Sequence, residues 1–234
     1  MTTTALITGA NKGLGFEAAR VLTGRGWTVL LAVRDPERGA AAAAKLGASA
    51  HVVAMDVTSD ASVVSAADLV ADRFGLIDVL INNAGIGGPW SSPEEMTADE
   101  VRGVYDTNVF GPIRVTRAFL PLLRKSSAPR IVNVSSGMGS FAITTDPERL
   151  ESTLVSIGYP TSKAALNAVT LHYAKALPGM RVNAVDPGYT ATDINGHSGT
   201  QTVAEGVESI VAMATVPPDG PTGGYFDRHG PIPW

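Results

Sequence analysis

The sequence contains no cysteine, which excludes disulfides and thiolate metal sites and is compatible with a reducing, cytoplasmic setting. Charged residues make up only 17% of the 234 positions, and the net charge of −4 is spread without a block of one sign. Nothing therefore resembles a nucleic-acid or anionic-membrane footprint. Long apolar runs are missing too: Val29 to Val33 is among the longest, far too short to span a bilayer. The first apolar residues run directly into a glycine turn rather than into a signal-peptide pattern. His51, His172, His197 and His229 are scattered, with no pair at metal-ligand spacing, so no metal is expected. What is present is a chain 44% apolar and rich in Ala and Val, long enough to bury a sizeable core as one domain over residues 1–234.

Strand and helix patterns alternate along it, as a parallel α/β sheet requires. Thr4 to Thr8 is an apolar run entering TGANKGLG (Thr8 to Gly15), and an amphipathic helical pattern follows from Phe16 to Thr23. In such a unit Gly9 permits the tight turn, Gly13 and Gly15 allow close backbone approach, and free N–H groups at the positive helix end suit a pyrophosphate. Trp27 to Val33 reads as the second strand with Arg34 at its carboxyl end, followed by Asp35 as helix N-cap and Pro36 at the first helical position. His51 to Ala54 is a third strand, with Asp56 and Val57 beyond its tip; Asp56 suits an adenine amino group or a helix cap equally.

Ala61 to Phe74 reads as a helix and Val79 to Ile81 as a strand. NNAG (Asn82 to Gly85) either braces the central strands and leaves room for a ribose or serves as an ordinary loop. One long helical stretch is expected over Thr97 to Lys125, and Asn108 inside it (NVFG) requires a specific partner, because Asn disfavours helix interiors. Arg130 to Ser135 is an alternating strand that delivers Ser135 and Ser136 to the edge where open parallel sheets bind ligands. Met180 to Val185 is a sixth strand ending in DPGYTATD (Asp186 to Asp193), Gln201 to Met213 a helix, and Gly224 to Phe226 a short last strand.

The stretch YPTSK (Tyr159 to Lys163) carries the chemistry. Tyr and Lys four apart stack on one helix face. A free Tyr titrates at about 10, and one positive charge at about 4 Å favours the phenolate by roughly 4 kcal/mol, or roughly three pKa units. The expectation is a Tyr brought near neutrality by its Lys, usable as a general acid or base.

Taken in order, TGANKGLG, NNAG, NVFG, the Ser-Ser pair, YPTSK and DPGYTATD resemble the classical short-chain dehydrogenases and reductases over essentially the whole chain. The NKGLG form and the Arg after the second strand look most like the carbonyl-reductase-type members. The resemblance implies a single Rossmann-like α/β domain with a doubly wound, seven-stranded parallel sheet and helices on both faces. It implies Tyr159 as acid/base, Ser136 hydrogen-bonded to the reacting oxygen with Ser135 as the alternative, Lys163 holding the ribose, and Asn108 anchoring a relay water. For the cofactor it implies Gly9, Asn11, Lys12, Gly13, Leu14 and Gly15 at the glycine turn, and Asp56 and Val57 towards the adenine. Asn83, Ala84 and Gly85 would face the adenine-side ribose, and Pro187, Gly188, Thr190 and Thr192 the nicotinamide. A catalytically silent dinucleotide-binding regulator has no need of all four catalytic residues. An extended-type epimerase or dehydratase would carry a sizeable C-terminal substrate domain.

Cofactor choice rests on the second strand's tip, where NAD enzymes of this fold place a carboxylate for the ribose hydroxyls. Val33 stands there instead, followed by Arg34, whose guanidinium can grip a 2′-phosphate, while Lys12 reaches it from the other side. NADP(H) is therefore expected over NAD(H). Trp90, Met138, Phe141, Tyr189 and Ile194 are expected near a pocket for a small apolar carbonyl or alcohol. Ser136 and Tyr159 stand 23 positions apart, more than is usual in the family. The extra segment around Thr145 to Ser156 is expected to form one or two helical turns and to alter the four-helix oligomer interface, which leaves monomer, dimer and tetramer open.

Overall fold

Alternate residues of a strand point to opposite faces of its sheet, and here both faces are apolar, which requires cover on both sides. Ala5 and Ile7 of β1 (Thr4–Thr8) pack with Ala18, Leu22, Val207 and Ile210, whereas Leu6 between them packs with Val63, Val70, Phe119 and Ile131. The structure, a computed structural model, describes residues 2–234. The remaining strands are β2 (Thr28–Val33), β3 (Ala50–Ala54), β4 (Val79–Asn82), β5 (Arg130–Val134), β6 (Arg181–Val185), β7 (Tyr225–Asp227) and β8 (Gly230–Pro231). The helices are α1 (Gly13–Gly24), α2 (Pro36–Leu46), α3 (Asp60–Phe74), α4 (Ala98–Tyr105), α5 (Gly111–Leu123), α6 (Phe141–Thr144), α7 (Gly158–Ala176) and α8 (Val203–Ala214).

The strand order is β3-β2-β1-β4-β5-β6-β7-β8. The seven expected strands run parallel, and β8 adds an antiparallel pairing of Phe226 with Pro231 and Asp227 with Gly230. Two residues without an apolar pattern give no strand signal in the sequence, so β8 was not foreseen. The order reverses between β1 and β4, which opens a crevice at their carboxyl ends.

Caps explain most helix starts. Asp35 accepts from the N–H groups of Glu37 and Arg38 at 3.0 and 3.2 Å, Ser59 caps α3, and Thr97 and Thr202 form capping boxes with Glu100 and Glu205. Asp56 is not a helix cap: it folds back on Thr58, taking its N–H at 2.9 Å and its hydroxyl at 2.7 Å.

The long helical stretch is interrupted. Between α4 and α5 the chain makes one π turn over Asp106–Phe110, with the Gly111 N–H reaching back to the Asp106 carbonyl. Pro112 has no N–H to offer the carbonyl of Asn108, so the regular ladder cannot continue through this point. α6 precedes the extra segment, and within Thr145 to Ser156 the chain makes one 3₁₀ turn over Leu150–Thr153, in keeping with the one or two turns expected.

Close packing fixes the site's floor. A Cβ on Gly139 would lie 2.6 Å from the Lys163 carbonyl carbon and 2.9 Å from the Ala164 nitrogen on α7. Gly139→Ala is expected to destabilise the protein by about 1–3 kcal/mol, a fall in Tm of about 2–4 °C per kcal/mol. An unchanged melting curve would mean that α7 does not sit this tightly on the serine turn.

Candidate active site

β5 ends at Val134, and Ser135 and Ser136 follow it into a 3₁₀ turn over Gly137–Gly139. Ser135 is buried with its hydroxyl on the Lys163 carbonyl at 3.4 Å, whereas Ser136 keeps a partly open side chain beside the Tyr159 hydroxyl. The geometry thus favours Ser136 as the serine that faces the cleft. Tyr159 and Lys163 stand one turn apart on α7, and the Asn108 side chain reaches the same helix through Ser162.

Asn108 has the specific partners its position demands. Its Oδ1 accepts the Ile86 N–H at 2.9 Å, while Nδ2 donates to the Ile86 carbonyl at 2.9 Å and to the Ser162 hydroxyl at 3.0 Å. The side chain is fully used in holding the loop after β4 to α7. Lys163 is 4% exposed; its Nζ donates to the Val134 carbonyl at 2.8 Å and lies against Gly85 beside Asn108.

The electrostatics differ from the sequence expectation. Nζ lies over the Tyr159 ring, 5.5 Å from its centroid. Burial pushes the Tyr159 hydroxyl up to about 12, against the opposing pull of Ser136, and the Asp186 charge adds to the rise. Burial also brings Lys163 down to about 8, with Asp186 opposing that fall. Desolvation is the largest cause of both shifts. The lowered Tyr expected from YPTSK is therefore not a property of the polypeptide alone.

The cofactor-binding assignments divide. α1 starts at Gly13 with no side-chain cap and no acidic residue in its first turn, unlike the side-chain-capped starts of α2, α3, α4 and α8. Its free N–H groups and positive end therefore fit a pyrophosphate. Gly9 and Gly13 have φ of +65° and +56°, which favours glycine. A Cβ on Gly13 would meet only the Thr192 methyl at 3.9 Å, so the turn stays open. Asn11 lies half-buried in it. The Leu14 side chain packs on α8 at Gly206, leaving its backbone to the turn.

Asn83 is engaged elsewhere: its Nδ2 donates to the Thr8 carbonyl at 2.9 Å and the Gly9 carbonyl at 3.3 Å, and it crowds Gly15. With Asn82 bound to Asn133 at 2.8 Å, the two Asn brace the strands, and the Asn83 side chain is not free for the ribose. Ala84 donates its N–H to Thr8 at 2.9 Å, and Gly85 opens towards Lys163. Val57 is buried against Gly111. Thr190 is 4% exposed and turned onto the Pro187 carbonyl at 2.8 Å, so in that loop Gly188 and Thr192 remain nearer the open side.

At the adenosine end Arg34 is exposed beyond Val33, and no salt bridge holds it among the described residues. Asp35 is turned into its cap and pairs with Arg38 at 3.2 Å. Lys12 corrects the expectation, because its Nζ is ion-paired with Asp193 across the glycine turn, and His197 holds the other Asp193 oxygen at 2.8 Å. The pair spans 181 positions, so no local pattern announces it.

Of the pocket candidates, Trp90 packs against Tyr159 with ring centroids 6.4 Å apart, and Trp90 and Ile194 converge over Gly87. Met138 donates its N–H to the Ser136 hydroxyl at 3.3 Å. Tyr189 ties its hydroxyl to Ser198 at 2.6 Å within its own loop. Phe141 is 75% exposed at the start of α6, and the structure does not bring it to Tyr159. Sequence reading missed Ile86, whose backbone receives Asn108, and Asp186, an ionisable residue at the end of an apolar strand. No helix among the described residues is long and apolar enough to cross a membrane.

Residues 3–202 match the short chain dehydrogenase family. The (-)-isopiperitenone reductase of Mentha piperita is 35% identical, with 96% of each chain covered. Among solved structures, salutaridine reductase from Papaver somniferum superposes with a TM-score of 0.83 at 32% identity, over 95% of this chain and 99% of that one. NADPH-bound carbonyl reductase from chicken fatty liver gives 0.89 at 28% identity, over 100% and 99%. With a serine turn, a Tyr-Lys helix and an uncapped glycine turn gathered at the carboxyl edge of one parallel sheet, and with a family match across most of its length, the chain belongs to the short chain dehydrogenase family.

Proposed function

We propose that Ser136, Tyr159, Lys163 and Asn108 are the working residues of this NADP(H)-dependent oxidoreductase, which interconverts a carbonyl and an alcohol within one dinucleotide-binding unit over residues 1–234. The observation that carries the reading is the meeting of the Ser136 and Tyr159 side chains above a buried Lys163 at the end of β5. Two hydroxyls from different elements converge on one point, where they stabilise charge on a carbonyl oxygen. Tyr159, held as a phenol, gives that oxygen its proton in the reductive direction. When bound, the nicotinamide supplies the hydride and, in its oxidised form, a positive charge. Lys163 would hold the adjoining ribose, and a water at Asn108 would link it to solvent; Pro112, lacking an N–H, leaves the Asn108 carbonyl without the donor of a regular helix.

The substrate is a small apolar carbonyl or alcohol. Ile86, Trp90 and Ile194 are all more than two-fifths exposed around Tyr159 and Gly87, and such side chains bind apolar ligands rather than polar ones. The names of the similar isopiperitenone and salutaridine reductases fit that class. A panel of aldehydes, ketones and quinones followed by nicotinamide absorbance tests it; turnover confined to charged substrates would reject it.

Arg34 supports the cofactor side of the reading. A charge-assisted hydrogen bond contributes about 1.5–3 kcal/mol, so Arg34→Ala is expected to weaken NADPH binding at least about tenfold and leave NADH unchanged. Lys12→Ala should cost less, since Asp193 already holds that ammonium. Equal loss of both cofactors on removing Arg34 would show that these residues do not read the 2′-phosphate.

A further inference from the structure

Asp186 is the buried ionisable group that this chemistry leaves unused. It is the first residue after β6, 6% exposed. Its Oδ1 accepts the Gly188 N–H at 2.9 Å. Its Oδ2 lies 3.0 Å from where a Cβ of Gly137 would stand, and the Gly137 N–H stabilises the same charge. Gly137 directly follows Ser136, and Gly188, with φ +69°, turns the loop at the nicotinamide edge. One carboxylate thus joins the two turns that must be in register for a hydride and a proton to reach one substrate.

Its surroundings confine it. From α7 it faces Lys163 and Tyr159, from β7 Tyr225 and Asp227, and from the segment before Tyr159 it faces Glu151, whose Oε1 is also 3.0 Å from the Gly137 Cβ position. A cavity of about 170 Å³ opens behind it, with Asp146, Arg149, Asp227 and Ile232 in its walls. Asp186 keeps a proton more readily than an ordinary carboxyl, because burial outweighs its two N–H donors and Glu151 and Asp227 repel its charge.

We propose that Asp186 is a positioning residue of the reaction: its carboxyl group ties the Ser136 turn to the Gly188 turn and, ionised in the alkaline range where Tyr159 gives up its proton, sets a negative charge behind the Tyr159–Lys163 pair. The proposal rests on the Ser136–Tyr159–Lys163 reading above. The charge opposes loss of the Tyr159 proton and supports the Lys163 ammonium. Removing it should let Tyr159 deprotonate at lower pH.

The test uses the full chain with Asp186→Asn, which keeps the shape and one acceptor, and Asp186→Ser, which keeps an acceptor for Gly188 in less volume. Alcohol oxidation with NADP⁺ is followed across pH. The rising limb of the profile is expected to move down by about one pH unit, and kcat to fall about tenfold through lost register. A limb that stays in place in whichever variant folds overturns the proposal. Failure of both variants to fold would assign the carboxylate to the fold instead and overturn it as well. Tyr159→Phe, run alongside, separates the two ideas. If it abolishes the limb while the Asp186 variants leave it unmoved, only the Asp186 role fails; if it leaves the limb intact, the Tyr159 reading itself fails.

Discussion

Replacing Tyr159 by Phe is expected to lower kcat and kcat/KM for carbonyl reduction by at least about a hundredfold, with NADPH affinity within a factor of about three of the wild type. The substitution removes one oxygen and little else. The ring keeps its contact with Trp90 and its place beneath the Lys163 ammonium, so the packing of α7 is retained. Ser136 remains but cannot replace the lost acid, because its aliphatic hydroxyl is a far weaker acid than a phenol. A group that acts in the transition state alone should lower kcat and kcat/KM together and leave ground-state binding intact. Steady-state rates read by nicotinamide absorbance, paired with a cofactor titration, decide it; turnover within tenfold of wild type would remove Tyr159 from the mechanism.

The direction of the pH dependence follows from the same residue. With the hydroxyl pushed up to about 12 by burial, Tyr159 is a phenol across the neutral range, ready to give a proton in reduction. In the proposed mechanism oxidation needs it deprotonated, and burial in the polypeptide opposes that. An oxidised nicotinamide, when bound, would add a positive charge that favours the phenolate, and the two directions should have well-separated pH optima, with oxidation the more alkaline.

This is also where the sequence reached its limit. The spacing of YPTSK placed Tyr159 and Lys163 on one helix face, and they are there. Spacing cannot say how deeply a pair is buried, and burial reversed the sign of the Tyr159 shift. The strands were legible because Ala5, Leu6 and Ile7 feed two opposed cores, a pattern carried by neighbouring residues. The ion pair of Lys12 with Asp193 was not, because it closes through the β6 loop, far along the chain. Phe141 is expected near the pocket as an apolar side chain, and at the start of α6 it is exposed instead. The break in the long helix was readable in principle: Pro112 stands four residues after Asn108, and a Pro inside a helix removes that hydrogen bond.

Lys163 should be the residue whose loss is felt in every measurement. Its side chain is 4% exposed, and its Nζ is held by the Val134 carbonyl at 2.8 Å, against Gly85. Lys163→Ala removes the ammonium, empties a buried volume and leaves that carbonyl unpaired, so a lower Tm is expected together with at least about a hundredfold loss of turnover. Lys163→Met refills the volume without the charge and should recover most of the stability but none of the activity. In both variants NADPH affinity should fall about tenfold, the cost of one charge-assisted contact to the ribose, which sets them apart from Tyr159→Phe. The wild type offers an independent check. Lys163, brought down to about 8 by burial, is an ammonium below that pH and loses its charge above it, so NADPH affinity should weaken as pH rises through about 8, and Lys163→Met should abolish that dependence. Calorimetric titrations at several pH values would settle the point: a Met variant that binds NADPH as tightly as wild type, or that retains the alkaline weakening, would assign the ribose contact to some other group.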